Sequence, residues 1–80
     1  MKLRVLVSFK KGILEPQGET IRRALLSLGY NSIKDVRQGK FFDIVMDENN
    51  KERAFELADE IGRKVLSNPV VESYEVKKIE

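Results

Sequence analysis

Asp43, Asp47 and Glu48 are the acidic side chains whose spacing comes nearest to a catalytic pair. On an extended strand Asp43 and Asp47 point to the same side, but at about 3.3 Å per residue they stand about 13 Å apart. One proton or one metal ion is not shared across that span. The chain has no histidine and no cysteine. The usual general base, the usual nitrogen and sulfur metal ligands, and every Ser-His or Cys-His nucleophile are therefore missing. Arg63-Lys64 and Lys77-Lys78 read as solvated surface charge. No set of residues fills the geometric roles of an active site. The expectation is no catalytic residue, no metal and no cofactor.

Two binding patterns come next. Gly39-Lys40-Phe41-Phe42-Asp43-Ile44-Val45 faintly echoes the aromatic strand of an RNA-recognition motif. That motif needs aromatic rings at alternate exposed positions for base stacking. Phe41 and Phe42 are adjacent and point opposite ways, and Asp43, an acid, stands where the second ring belongs. Lys+Arg 15 against Asp+Glu 13 gives only +2, with the signs interspersed. Nucleic acid is not an expected partner. Gly12-Ile13-Leu14, between an apolar strand and an apolar helix, resembles the ligand loop of small ACT-type regulatory domains. Backbone N–H groups at a helix start bind anions or carboxylates. A stand-alone sensor of a small ligand at Gly12–Gly18 is the alternative function.

The elements that position these residues follow from periodicity. Leu3, Val5, Val7 and Phe9 alternate with polar residues and read as a strand ended by Lys10-Lys11-Gly12. Pro16 suits the first position of a helix, and Gly29 the left-handed position just past its end. Between them Ile21, Ala24, Leu25 and Leu28 form one stripe expected to be buried. Ile33 to Val36 reads as a short strand. Arg37-Gln38-Gly39-Lys40 reads as a reversal with Gly39 at positive φ, or else as a bulge bending one long strand. Phe41 to Asp47 is the next strand. Asn49 or Asn50 caps a second helix running to about Leu66, with Ala54, Leu57, Ala58, Ile61 and Val65 as its core stripe, stopped by Asn68-Pro69. Val70 to Ile79 is the last strand.

The order β-α-β-β-α-β is that of ferredoxin-like folds. The expectation is one α+β domain over residues 1–80, a two-layer sandwich with two helices on one face of a four-stranded antiparallel sheet. The bare face would carry Leu6, Phe41 and Val45, with Val71 and Ile79, which is too much apolar surface to leave wet. A homodimer or higher oligomer, packed through that face or a sheet edge, is expected. Eighty residues bury a small core, so association is a common remedy. No run approaches the roughly 20 apolar residues of a membrane span, and a cytoplasmic protein is the default.

Four separated segments resemble one family: Lys10-Lys11-Gly12-Ile13-Leu14-Glu15-Pro16-Gln17-Gly18; Ala24-Leu25 through Leu28-Gly29-Tyr30; Val36-Arg37-Gln38-Gly39-Lys40; and Val65-Leu66-Ser67-Asn68-Pro69-Val70-Val71-Glu72-Ser73-Tyr74. In order, spacing and length they resemble PurS, the small subunit of phosphoribosylformylglycinamidine synthase. Members often carry a cysteine in the second helix and Asp where Glu15 stands; this chain departs at both places. The resemblance implies a non-catalytic subunit in purine biosynthesis. It would bridge an ATP-dependent synthetase subunit and a glutaminase subunit and help ammonia pass between them. It also implies partner contacts at Pro16, Gln17 and Gly18, at Arg37, Gly39 and Lys40, and at Asn68 and Pro69. Backbone geometry accounts for Pro16, Gly39 and Pro69. It does not demand Gln17, Arg37 or Lys40, which are the sharper candidates.

Overall fold

The alternation of Leu3, Val5 and Val7 builds strand β1, Lys2–Phe9, at the centre of the sheet. The computed structural model describes residues 1–80. Helix α1 spans Pro16–Ser27, strand β2 Lys40–Val45, helix α2 Lys51–Ile61 and strand β3 Glu72–Lys78. The sheet order is β2-β1-β3, with both pairings antiparallel. Val5 lies opposite Phe42 on one side and Val76 on the other. Side chains that face each other across a ladder share a sheet face. One face therefore holds Leu3, Val5 and Val7 with Phe42, Ile44, Tyr74 and Val76. Ala54 and Ala58 of α2 close over it, and these two alanines with the three β1 residues form the buried core.

Helix boundaries follow their caps. Asn50 accepts from the Arg53 N–H at 3.0 Å and starts α2. The helical run reaches Leu66 through a π turn, Gly62–Leu66, closed by the Ser67 N–H on the Gly62 carbonyl at 3.0 Å. At the end of α1, Gly29 takes φ +96°. Its N–H reaches the Leu26 carbonyl at 3.1 Å and the Tyr30 N–H reaches Leu25 at 3.0 Å. These two bonds are a Schellman motif.

The α+β, ferredoxin-like class stands, in the order β-α-β-α-β. Three details differ from the sequence expectation. Ile33–Val36 forms no strand. Residues 31–39 run back along α1: a Cβ on Gly18 would strike the Val36 carbonyl oxygen and the Arg37 Cα. The Gln38 N–H is held by the Glu15 carboxylate at 3.2 Å. That segment spends its backbone on the helix start, so the sheet has three strands and β2 keeps a free outer edge. Gly39 is accordingly neither a hairpin glycine nor a bulge in one long strand. Its φ is not positive. It is small because a Cβ there would stand 2.7 Å from the Val7 carbonyl oxygen.

The third difference is α1 itself. It packs on neither the sheet nor α2. Its expected core stripe is largely uncovered, with Ile21 and Ala24 exposed and Leu28 74% exposed. Gly18, the buried residue of the helix, lies instead against Val36 and Arg37. Helix and return segment form an arm beside a body of sheet plus α2. The molecule is 49 Å long, with a radius of gyration of 16.0 Å, against about 12 Å for a compact chain of this size. Only 8 of the 80 residues are buried, far too few to cover both helices.

Candidate functional site

Arm and body meet at a small polar cleft. The chain leaves β1 at Phe9, turns through Gly12 at φ +89° and enters α1 at Pro16. Glu15 precedes the helix and is only 6% exposed. Its carboxylate accepts from the Gln17 N–H at 3.1 Å and from the Gly18 and Gln38 N–H groups. Three backbone donors thus converge on one acid, which caps α1 and ties the return segment to its start. Arg37 locks the same junction from outside, donating to the carbonyl oxygens of Lys10 and Ile13.

Glu72, at the start of β3, faces Glu15 across the cleft. It accepts from the Asn68 N–H at 2.7 Å and lies 4.0 Å from the Lys40 ammonium. Asn68 is itself engaged. Its carbonyl accepts from the Glu72 N–H at 2.7 Å and its side chain from the Val70 N–H at 3.1 Å. The cleft encloses about 190 Å³, with Gln17, Gln38, Gly39 and Lys40 completing the wall between Phe9, Glu15 and Glu72. Beside it Pro16, Gln17, Thr20, Ile21 and Gln38 line a shallow groove along α1.

The structure brings most of the expected partner-contact residues to this one place. Gln17, Gly39 and Lys40 line the cleft, Pro16 flanks it, and Asn68 reaches it through Glu72. Gly18 is buried beneath Val36 and Arg37 rather than offered to solvent. Pro69 is exposed beyond Asn68. Arg37, which no turn requires, has an intrachain job on two backbone carbonyls. Gln17 keeps its side chain exposed and makes no side-chain hydrogen bond within the chain. Glu15 and Glu72 were not singled out from the sequence. An acid just before Pro16 is a readable N-cap signal; Glu72 carried none.

The open face of the sheet is a separate surface. Leu6 and Phe41 are partners in register there, with Phe41 54% exposed and Val45 exposed at its end. By alternation Ile79 and Val71 fall on the same side. Arg4 crosses this face, bonded twice to Asp43 at 2.8 and 3.1 Å, with its guanidinium 4.2 Å from the centre of the Phe41 ring. The bidentate bond to Arg4 holds the Asp43 carboxyl below its usual range. On the far side of α2 lies an acidic groove of Glu52, Glu56 and Asp59 beside Phe55 and Tyr74. The Tyr74 hydroxyl donates to Asp59 at 3.0 Å; burial, then that bond, pushes its pKa up. No group of three or more carboxylates is placed to hold a metal ion.

Comparison with known proteins matches almost all of the chain. The PurS model, phosphoribosylformylglycinamidine (FGAM) synthase, covers residues 2–80. The PurS subunit of phosphoribosylformylglycinamidine synthase from Methanocaldococcus jannaschii is 46% identical over 76 residues, 95% of this chain and 92% of its own. The Bacillus subtilis PurS subunit is 37% identical, covering 91% of this chain and 86% of its own. The crystal structure of M. jannaschii PurS, described as one of the subunits of formylglycinamide ribonucleotide amidotransferase, superposes with a TM-score of 0.86. The identity is 47%, and 99% of this chain and 98% of that one are covered. A chain in the structure of PurLQS from Thermotoga maritima gives a TM-score of 0.87 at 35% identity, covering 98% of this chain and 95% of that one.

Proposed function

The chain belongs to the PurS family, and from that premise we propose that it is the small subunit of a phosphoribosylformylglycinamidine synthase in purine biosynthesis. It carries no catalytic step itself. It joins an ATP-dependent synthetase subunit to a glutaminase subunit and supports transfer of ammonia from one to the other. The observation that carries this reading is the match over essentially the full length, together with the likeness to a chain of a PurLQS structure. The physical task is proximity. Ammonia released in one active site reaches another only if the two are held together and the path excludes water.

The junction at the root of the arm is the surface we assign to those partners. Gln17 and Lys40 present exposed polar groups there, beside Pro16, Gly39, Asn68 and Pro69. Arg37 and Gly18 act one step behind, by fixing the loop and segment on which the others sit. The same reading places the chain in the cytoplasm.

Reconstitution tests the assignment. Glutamine-dependent synthesis by the synthetase and glutaminase subunits should require this chain, while ammonia-dependent synthesis by the synthetase should persist without it. Equal glutamine-dependent rates with and without the chain would overturn the reading. Within the complex, Gln17→Ala should leave the isolated chain folded and weaken assembly; an unchanged glutamine-dependent rate would remove Gln17 from the contact surface. A calorimetric titration of the isolated chain with amino acids and phosphate addresses the sensor alternative at Gly12–Gly18, for which no heat is expected.

A further inference from the structure

Two turns meet at the end of the sheet where β1 finishes and β3 begins, with Phe9 opposite Glu72. Each pushes one large aliphatic side chain into solvent. The first turn, from Lys10 to Leu14, links β1 to α1. It pivots on Gly12 at φ +89° and closes with the Ile13 N–H on the Lys10 carbonyl at 3.1 Å. The second runs from Asn68 to Val71. The Asn68 carbonyl accepts from the Val71 N–H at 3.1 Å, its side chain accepts from the Val70 N–H at 3.1 Å, and Pro69 adds a fixed φ. The Lys10 N–H donates to the Val71 carbonyl at 2.8 Å and fastens one turn to the other. Leu14 is 75% exposed and Val70 78%. Neither fills the core, and both stand on backbone that is already held. Rigid presentation of a side chain lowers the ordering cost of binding.

Charge selects what these side chains meet. Lys10, Lys11 and Arg37 are exposed, and none is ion-paired to a carboxylate of the chain. Arg37 donates to the Lys10 and Ile13 carbonyls, so its charge is pinned on the first turn. The two acids nearby are already engaged: Glu15 holds three backbone N–H groups, and Glu72 serves the Asn68 N–H and Lys40. This corner thus concentrates positive charge in a chain whose net charge is only +2. We propose that Leu14 and Val70 are the anchors, and Lys10, Lys11 and Arg37 the rim, of a docking surface for an acidic segment of a partner subunit, whose own apolar side chain seats between the two turns. The proposal rests on the synthase reading and gives its contact surface a partner chemistry. An apolar centre with a polar rim is ordinary interface anatomy. A free phosphate or nucleotide fits less well. The helix start that would take a phosphate is filled by the Glu15 carboxylate, and the two exposed side chains are aliphatic, with no ring for a base to stack on. A bilayer asks for a longer apolar face than two side chains.

The test is the kinetics with which the full chain joins the synthetase and glutaminase subunits, measured by surface plasmon resonance at low and high salt. Leu14→Asp and Val70→Asp should each speed dissociation by at least about tenfold, as loss of an anchor does. Lys10→Glu with Lys11→Glu should instead slow association by about tenfold at low salt and flatten its fall with salt, as loss of rim charge does. Lys51→Glu with Lys78→Glu, at the other end of the sheet, changes the net charge equally and should leave association near the unaltered rate. All the replaced side chains already face water, so each isolated variant should keep the unaltered circular dichroism. If the unaltered chain binds neither subunit, the synthase reading falls and this surface with it. If it binds, and both aspartate variants dissociate at the unaltered rate, the anchors are overturned while the synthase reading stands. Equal slowing by the Lys51 and Lys78 reversals would overturn the rim. Binding of the chain to phosphatidylserine vesicles, lost in Leu14→Asp, would reassign the patch to a membrane and overturn the proposal.

Discussion

The two helices are nearly equal in length and opposite in how they are held. α2, 11 residues, has one side-chain cap and lays Ala54 and Ala58 fully buried on Leu3, Val5 and Val7. α1, 12 residues, has the better ends: Pro16 at its start, the Glu15 carboxylate on its first N–H groups and a Schellman close. It buries no apolar side chain completely. Isolated helices this short are marginal in water, and tertiary packing normally supplies their stability. Local signals thus settle where each helix begins and ends, whereas only contacts settle what its apolar stripe is for. In the body the stripe makes a core; in the arm it makes a surface.

The sharpest way to break that contrast is to remove one apolar group from each region. Leu3→Ala should cost about 2–5 kcal/mol, since a wholly buried leucine leaves a cavity between sheet and α2. Ile21→Ala, at dilution where the chain is single, should change stability by less than about 1 kcal/mol. Urea unfolding of both variants decides it. Comparable losses would mean that α1 is packed in solution and that arm and body are one unit.

The next effect concerns the polar root of the arm. Gly18→Ala places a methyl group against the Val36 carbonyl oxygen and should cost roughly 1–3 kcal/mol through forced displacement of the return segment. Glu15→Ala removes a cap and leaves the Gln38 N–H without its acceptor, for about 0.5–2 kcal/mol. In both variants the Gln38 amide should exchange faster with solvent while amides of β1 stay protected. Unchanged Gln38 protection would show that the clamp is not what holds the arm.

The same contrast explains what was legible in the sequence. Period-two alternation gave β1, and Pro16, Gly29, Asn50 and Asn68-Pro69 marked the helix ends, because those signals are local. The family was readable from four motif segments for the same reason. Ile33–Val36 was not, since two apolar residues in a four-residue run set no period, and such a run looks alike whether it joins a sheet or follows a helix back to Glu15. The stripe Ile21, Ala24, Leu25, Leu28 likewise reads as buried from its spacing, because helical period alone does not say whether anything lies against it. Arg37 seemed free because its acceptors are backbone carbonyls of Lys10 and Ile13, which leave no trace in side-chain chemistry. Gly39 looked like a turn glycine when its constraint is a neighbour, the Val7 carbonyl.

The smallest expected effect is a response to pH that separates the regions. In the first turn of α1, Glu19 accepts from Arg22 at 2.6 and 2.9 Å and from Arg23 at 3.3 Å. The hydrogen bonds to Arg22 lead in lowering its pKa from 4.5 to about 2. A carboxylate more acidic in the folded chain stabilises it above the unfolded value and loses that support as pH falls. Arm helicity should therefore decline from about pH 4.5 toward 2, and the screened, exposed pair should make the decline shallow. In the body the sign is reversed. Tyr74 has its pKa raised above 10, so its contribution is present below about pH 10 and fades as pH climbs. Glu19→Gln should flatten the acid limb of α1 helicity by circular dichroism and leave the alkaline limb of the body's stability alone; Tyr74→Phe should flatten that alkaline limb and leave the acid limb of α1 unchanged. An acid limb identical in Glu19→Gln would mean that the helix start is held by Glu15 and Pro16 alone.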